Sequence, residues 1–98
     1  MRIRVTRSAA AQIEEAAIWW AKNRPLVPRA IEEELERAFA LLMLQPTIGA
    51  RARNERLPGV RRIHLSRIQY YLYYRVSADD IDVLAFWHVS RGNSPPLT

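Results

Sequence analysis

Residues 60–76 read VRRIHLSRIQYYLYYRV, and the choice of fold turns on them. Residues 60–66 alternate moderately between apolar and polar, and residues 69–76 carry four tyrosines in a strand-like run. A period of two sends successive side chains to opposite faces of a sheet. Tyr70, Leu72, Tyr74 and Val76 then share one face, and Leu72 and Val76 mark it as the core side. Tyr70 and Tyr74 are expected to pack inward with their hydroxyls reaching the edge. Tyr71, Tyr73 and Arg75 line the opposite face, where they would form a contact surface.

Downstream, Asp79-Asp80 reads as a turn and residues 81–89, IDVLAFWHV, as a last strand. Short turns between these three strands imply an antiparallel meander. In the last strand Ile81, Val83, Ala85, Trp87 and Val89 alternate with Asp82, Leu84, Phe86, His88 and Ser90, and both sets carry large apolar residues. Either the strand is central and covered on both faces, or a bulge switches its register partway. A bound peptide covering the second face would account for the excess apolar surface. The closing RGNSPPLT is polar and rich in proline.

Upstream of Val60 the period is helical. Residues 3–5 read as a short first strand, and Thr6 or Ser8 can cap a helix running from Ala9 to about Asn23. Ala9, Ile13, Ala17 and Trp20 form its apolar stripe, with Gln12, Glu15 and Lys22 off it. Trp20 continues the stripe, whereas Trp19 points about 100° away, toward the seam of the helices or partly into solvent. Asn23-Arg24-Pro25 ends the helix. Pro28 suits the first position of a second helix, with Glu32, Glu33 and Glu34 near its positive end. Ile31, Leu35, Ala38 and Leu42, widened by Phe39 and Met43, form its buried stripe, and Gln45-Pro46 stops it. Residues 47–59 read as a loop. The order is β-α-α-β-β-β, an α+β domain with a helical hairpin on one face of a small curved, mainly antiparallel sheet and the other face at least partly open. The whole of residues 1–98 forms one domain.

The chain has no cysteine, which excludes disulfides, thiolate catalysis and cysteine-ligated zinc. Neither a signal-peptide pattern nor an apolar run of membrane-spanning length is present, so a soluble, cytoplasmic protein is expected. His64 and His88 stand apart from any metal-ligand cluster, no glycine-rich phosphate loop is present, and no cofactor is expected. The net charge is +5, and fourteen of the fifteen basic residues are arginine. From Arg51 to Arg75 seven arginines face one acid, Glu55. Such a block suits a polyanionic or acidic partner, because guanidinium pairs bidentately with phosphate and carboxylate. A solvated surface is the plainer alternative. The glutamates of the helices are read as solvated faces with arginine neighbours, not as a catalytic pair.

The element order, the capping threonine in IRVTRSAAAQIEEAAIWWA, the P-x-x-G of Pro46 to Gly49, the run LPGVRRIHLSRIQYYLYYRV and the ending IDVLAFWHVSRG together resemble the RelE/ParE superfamily of bacterial type II toxins. That resemblance implies a cognate antitoxin partner and one of two activities. RelE-like members cut mRNA on the ribosome; ParE-like members inhibit DNA gyrase by binding. RNA cleavage by its own 2′-hydroxyl needs a base, cationic donors at the phosphate and an acid for the leaving oxygen. The candidates in kind are Arg62, His64, Arg75, His88 and Arg91. An arginine found in some nuclease members is replaced here by Tyr71, and their tail tyrosine or histidine pair by SRGNSPP. The ParE-like activity is therefore favoured, a binding protein rather than an enzyme, with the mRNA endonuclease as the alternative. Trp19, Arg62, Tyr71, Tyr73, Arg75, His88 and Arg91 are the expected contacts for target or antitoxin, with Arg91 and the tail after it facing the target. Direct nucleic-acid binding by the basic block stays open.

Overall fold

The period change at Val60 is where helices give way to sheet in the computed structural model, which describes residues 1–53 and 56–97. Glu55, the lone acid of the arginine block, lies outside the described residues. The order is β1 (Arg2–Val5), α1 (Arg7–Asn23), α2 (Ala30–Leu44), β2 (Ala50–Arg51), β3 (Val60–Leu65), β4 (Tyr70–Ser77) and β5 (Asp80–His88). The strands form one sheet in the order β1-β5-β4-β3-β2. β2 to β5 are antiparallel neighbours, and β1 runs parallel to β5 with Val5 opposite Val83. Among the described residues no helix is long and apolar enough to cross a membrane.

Thr6 is the helix cap. Its hydroxyl accepts from the Ala9 N–H at 3.1 Å, meeting one of the donors that a helix leaves unpaired in its first turn. α1 therefore starts at Arg7, ahead of the expected Ala9. α2 starts later than expected. Pro28 lies in the preceding turn, where the Ala30 N–H donates to Val27 O at 3.2 Å, and Arg29 is the cap residue. Glu32 and Glu33 still occupy the first turn, where the helix dipole favours them. β2 falls within residues 47–59, read as loop; two residues are too few for a period to register. The link from α2 to the sheet is tied by Gly49, whose N–H donates to the Tyr74 hydroxyl at 2.9 Å.

The main core lies between helices and sheet. Ala9, Ala16, Ile31, Leu35, Ala38 and Leu42 meet Leu72, Tyr74, Ile81, Val83 and Phe86, with Tyr70 and Val76 packed at the margin. The inward face expected of β4 is the inward face observed. In β5 the alternation breaks. Tyr73 is opposite Ala85 but Tyr74 is opposite Val83, so Leu84 is an extra residue, a bulge. Ile81 and Val83 face the helices before it and Phe86 after it, while Ala85 and Trp87 turn to the second face. Of the two alternatives for this strand, the bulge accounts for the apolar residues in both sets.

The second face is less open than expected. Val60, Tyr73, Ala85 and Trp87 form a small second cluster closed by Leu97, with Ala52, Leu57, Tyr71 and Leu84 at its edge. Leu97 is 7% exposed, and the Trp87 indole N–H donates to Asn93 O at 2.8 Å. The tail that reads as polar thus carries two buried anchors, Pro95 and Leu97, and supplies part of the cover that the sequence suggested for a bound peptide.

Candidate functional site: two faces of one sheet

The expected contact residues divide between two places. On the second face, alternation and register put Arg62 opposite Tyr73 and His64 opposite Tyr71. The Arg62 guanidinium lies 4.0 Å from the centre of the Tyr71 ring and donates to the Tyr73 hydroxyl at 3.1 Å. A cation over an aromatic face is held by the ring quadrupole, so the two tyrosines fix the arginine and leave it half-exposed. His64 is exposed and tilts against Tyr71, ring centres 5.3 Å apart. Tyr73 itself is buried, which leaves Tyr71 as the tyrosine of this face more open to a partner.

Arg75 belongs to the same face but is spent differently. It is opposite Val60 and Asp82, and its aliphatic stem runs beside Gly59, where an added Cβ would meet Cγ at 3.7 Å. Its Nε is buried without a hydrogen-bond partner among the described residues, which costs stability. Asp82 instead accepts from the Ser77 hydroxyl at 2.8 Å and pairs with Arg4.

Trp19, His88 and Arg91 line a groove of about 340 Å³ between α1 and the end of the sheet. Tyr70 and Phe86, stacked with centres 4.4 Å apart, and Trp20 supply its aromatic walls. The Arg24 guanidinium lies 5.3 Å from the Trp19 ring and 5.9 Å from that of Trp20. Trp19 is 48% exposed and Trp20 is packed against the core, as the helical stripe implied. Burial pushes the Tyr70 hydroxyl up from its ordinary value; nearby Arg91 opposes the rise and Glu15 adds to it.

His88 is held by its neighbour. The Ser90 N–H donates to Nδ1 at 3.1 Å, with the Ser90 hydroxyl 2.7 Å from the same atom, so the neutral ring carries its proton on Nε2. Arg91 rounds the end of β5. Besides lining the groove it lies 3.9 Å from the centre of Trp87, a residue of the second face.

Gln12, Glu15, Arg24 and Gln69 also line the groove, and sequence reasoning did not single them out as site residues. Gln12 has a defined structural task. β1 stops at Val5, and beyond it the Gln12 side-chain carbonyl accepts the Phe86 N–H at 2.8 Å. A glutamine off the apolar stripe gives no sign of this; only the length of β1 relative to β5 hints that some side chain must satisfy the free strand edge.

The family described as "ParE toxin of type II toxin-antitoxin system, parDE" matches residues 3–92. The solved structure titled "Chromosomal ParDE TA system from P. aeruginosa" superposes with a TM-score of 0.74 at 26% identity, covering 92% of this chain and 97% of that one. A comparison with curated protein sequences gives no significant match. The family match spans β1 through Gly92, taking in both helices, the sheet and every expected contact residue. This chain belongs to the ParE toxin family of type II toxin–antitoxin systems.

Proposed function

We propose that this toxin acts by binding and inhibiting DNA gyrase, and that its cognate antitoxin neutralises it. The observation that carries this reading is that the two candidate histidines lie on opposite faces of the sheet. Arg62, His64 and Arg75 belong to the second sheet face, whereas His88 lines the groove on the helix side. Base, acid and phosphate donors must surround one phosphodiester for cleavage. Arg62 is further engaged by Tyr71 and Tyr73, and Arg75 is half-buried.

A binding activity asks for exposed anchors instead. Arg91 on Trp87, together with the tail that follows it, is the surface we assign to the target. The hairpin and the end of α2 leave Ile18, Trp19, Leu26, Met43, Leu44 and Ile48 exposed. The first three lie at the end of α1 and the link after it, the last three at and beyond the end of α2; exposed apolar residues mark interaction surfaces, and we assign both sets to the antitoxin.

Purified toxin added to gyrase and relaxed plasmid tests the reading. Supercoiling should stop, and antitoxin should restore it. Arg91→Ala should weaken inhibition about tenfold, roughly 1.4 kcal/mol, while its melting temperature and antitoxin binding stay near wild type. Unimpaired supercoiling alongside new, ribosome-phased mRNA 5′ ends in induced cells would replace gyrase inhibition with endonuclease activity.

A further inference from the structure

The tail crosses the second face in a setting that does not match its own chemistry. Ser94, Pro95 and Leu97 lie in a groove of about 210 Å³ with Arg51, Arg53 and Arg62 along it and Val60 and Tyr73 at its base. The apolar match is good, since Leu97 completes the cluster of Val60, Tyr73, Ala85 and Trp87. The charge match is poor. Residues 92–97, Gly-Asn-Ser-Pro-Pro-Leu, bring no carboxylate to three guanidiniums. A second groove shares Arg51, Ala52, Arg53 and Val60 and adds Gly59 and Arg61, so the cationic surface continues past the tail.

We propose that this groove is a docking site for an extended acidic peptide that carries one apolar anchor, and that the chain's own residues 94–97 occupy it as a displaceable strap. The anchor takes the place of Leu97 against Val60, Tyr73 and Trp87. Flanking carboxylates pair with Arg51, Arg53 and Arg62, to which the strap's residues 94–97 bring no anionic group. Arg62 is already positioned by Tyr71 and Tyr73, so little of its side-chain freedom remains to be lost on binding. The strap is held by few contacts, the burial of Pro95 and Leu97 and the bond from Trp87 to Asn93 O. A competitor with the same anchor and added ion pairs has the advantage. The proposal shares the tail with the surface assigned to gyrase, and a peptide-binding assay that contains no gyrase tests it separately from that reading.

A fluorescein-labelled peptide with Pro-Pro-Leu flanked on both sides by glutamates is the probe, with its Glu→Gln counterpart as control. Fluorescence anisotropy should show saturable binding of the acidic peptide and at least tenfold weaker binding of the neutral one. Arg51→Glu with Arg53→Glu should abolish binding. Opening the strap removes the fraction of molecules in which the groove is filled. Leu97→Ser should therefore tighten the acidic peptide several-fold, and Pro95→Gly, which removes the strap's other buried anchor, should tighten it to a lesser degree. Far-UV circular dichroism of each variant checks that the sheet survives. Equal binding of the two peptides, or strap variants with unchanged affinity in a folded protein, would overturn the proposal. So would displacement of the peptide by a single-stranded oligonucleotide at far lower concentration, which would give the groove to nucleic acid.

Discussion

Gly49 is a glycine for want of space. A Cβ there would come within 2.7 Å of the Tyr74 hydroxyl and 2.9 Å of the Arg62 carbonyl, and the Tyr74 ring is fully buried and cannot swing away. Gly49→Ala should cost about 1–3 kcal/mol as overpacking. Tyr74→Phe leaves the Gly49 N–H unpaired and should cost about 1–3 kcal/mol. Because Tyr74→Phe also removes the nearest clashing atom, the double variant should lose less than the two together, which urea titration of all four proteins would reveal. Ala78, in the turn between β4 and β5, has φ 45°, a left-handed conformation in which a Cβ is strained. Ala78→Gly should raise stability by about 0.5–1 kcal/mol, read from the same titration.

At the scale of elements, the β1–β5 seam is pinned by charge. Arg2 and Arg4 reach Asp80 at 3.1 and 3.2 Å. Burial pushes the Asp80 carboxyl up, but hydrogen bonds from Arg4 and Arg2 outweigh it and hold the group below its ordinary value. A carboxyl that binds its proton more weakly when folded stabilises the fold above its unfolded pKa, and that stability is lost as pH falls through the folded pKa. Asp80→Asn should thus melt below wild type at neutral pH, and the gap should close on acidification; a constant gap would mean that charge contributes nothing. In β5, deleting Leu84 should preserve the cooperative transition, because it removes only the extra residue of the bulge and leaves Val83, Ala85 and Phe86 opposite the partners and on the faces they already have. Near-UV circular dichroism would report it through Trp87. The helices, the meander and the inward face of β4 were legible because each repeats a period over several turns or pleats. The bulge was not, since both residue sets of β5 are apolar and the pattern admits two solutions. The tail was not, because two buried residues among polar neighbours leave no period at all. For the candidate site, alternation put Tyr71, Tyr73 and Arg75 on one face, whereas Arg62 joins the tyrosines only through the register of β3 against β4. The groove gathers Gln12, Arg24 and Gln69 from separate elements, and no local spacing announces that.

Across the whole molecule, positive charge concentrates at one edge of the sheet. Glu14, Glu15 and residues 32–34 lie on the helices, where Glu33 and Glu34 pair with Arg67 and Glu34 also with Arg37, while Arg51, Arg53, Arg61 and Arg62 gather at the β2–β3 edge. Opposed charge steers encounter more than it holds a complex together. If the antitoxin approaches this edge with acidic residues, its association rate should fall at least tenfold between about 0.05 M and about 0.5 M salt, as screening shortens the reach of the field. The dissociation rate should change far less, a contrast that stopped-flow mixing would measure. The parallel pairing of Arg2–Val5 with residues 80–83 has a consequence in time. A ribosome makes β1 well before β5, yet β1 has no strand to lie against until β5 has emerged as well. The helical hairpin can form early, but the sheet edge it covers cannot. The five-stranded sheet is therefore incomplete until β5 has emerged, and a partner that reads the folded sheet has nothing finished to bind before then.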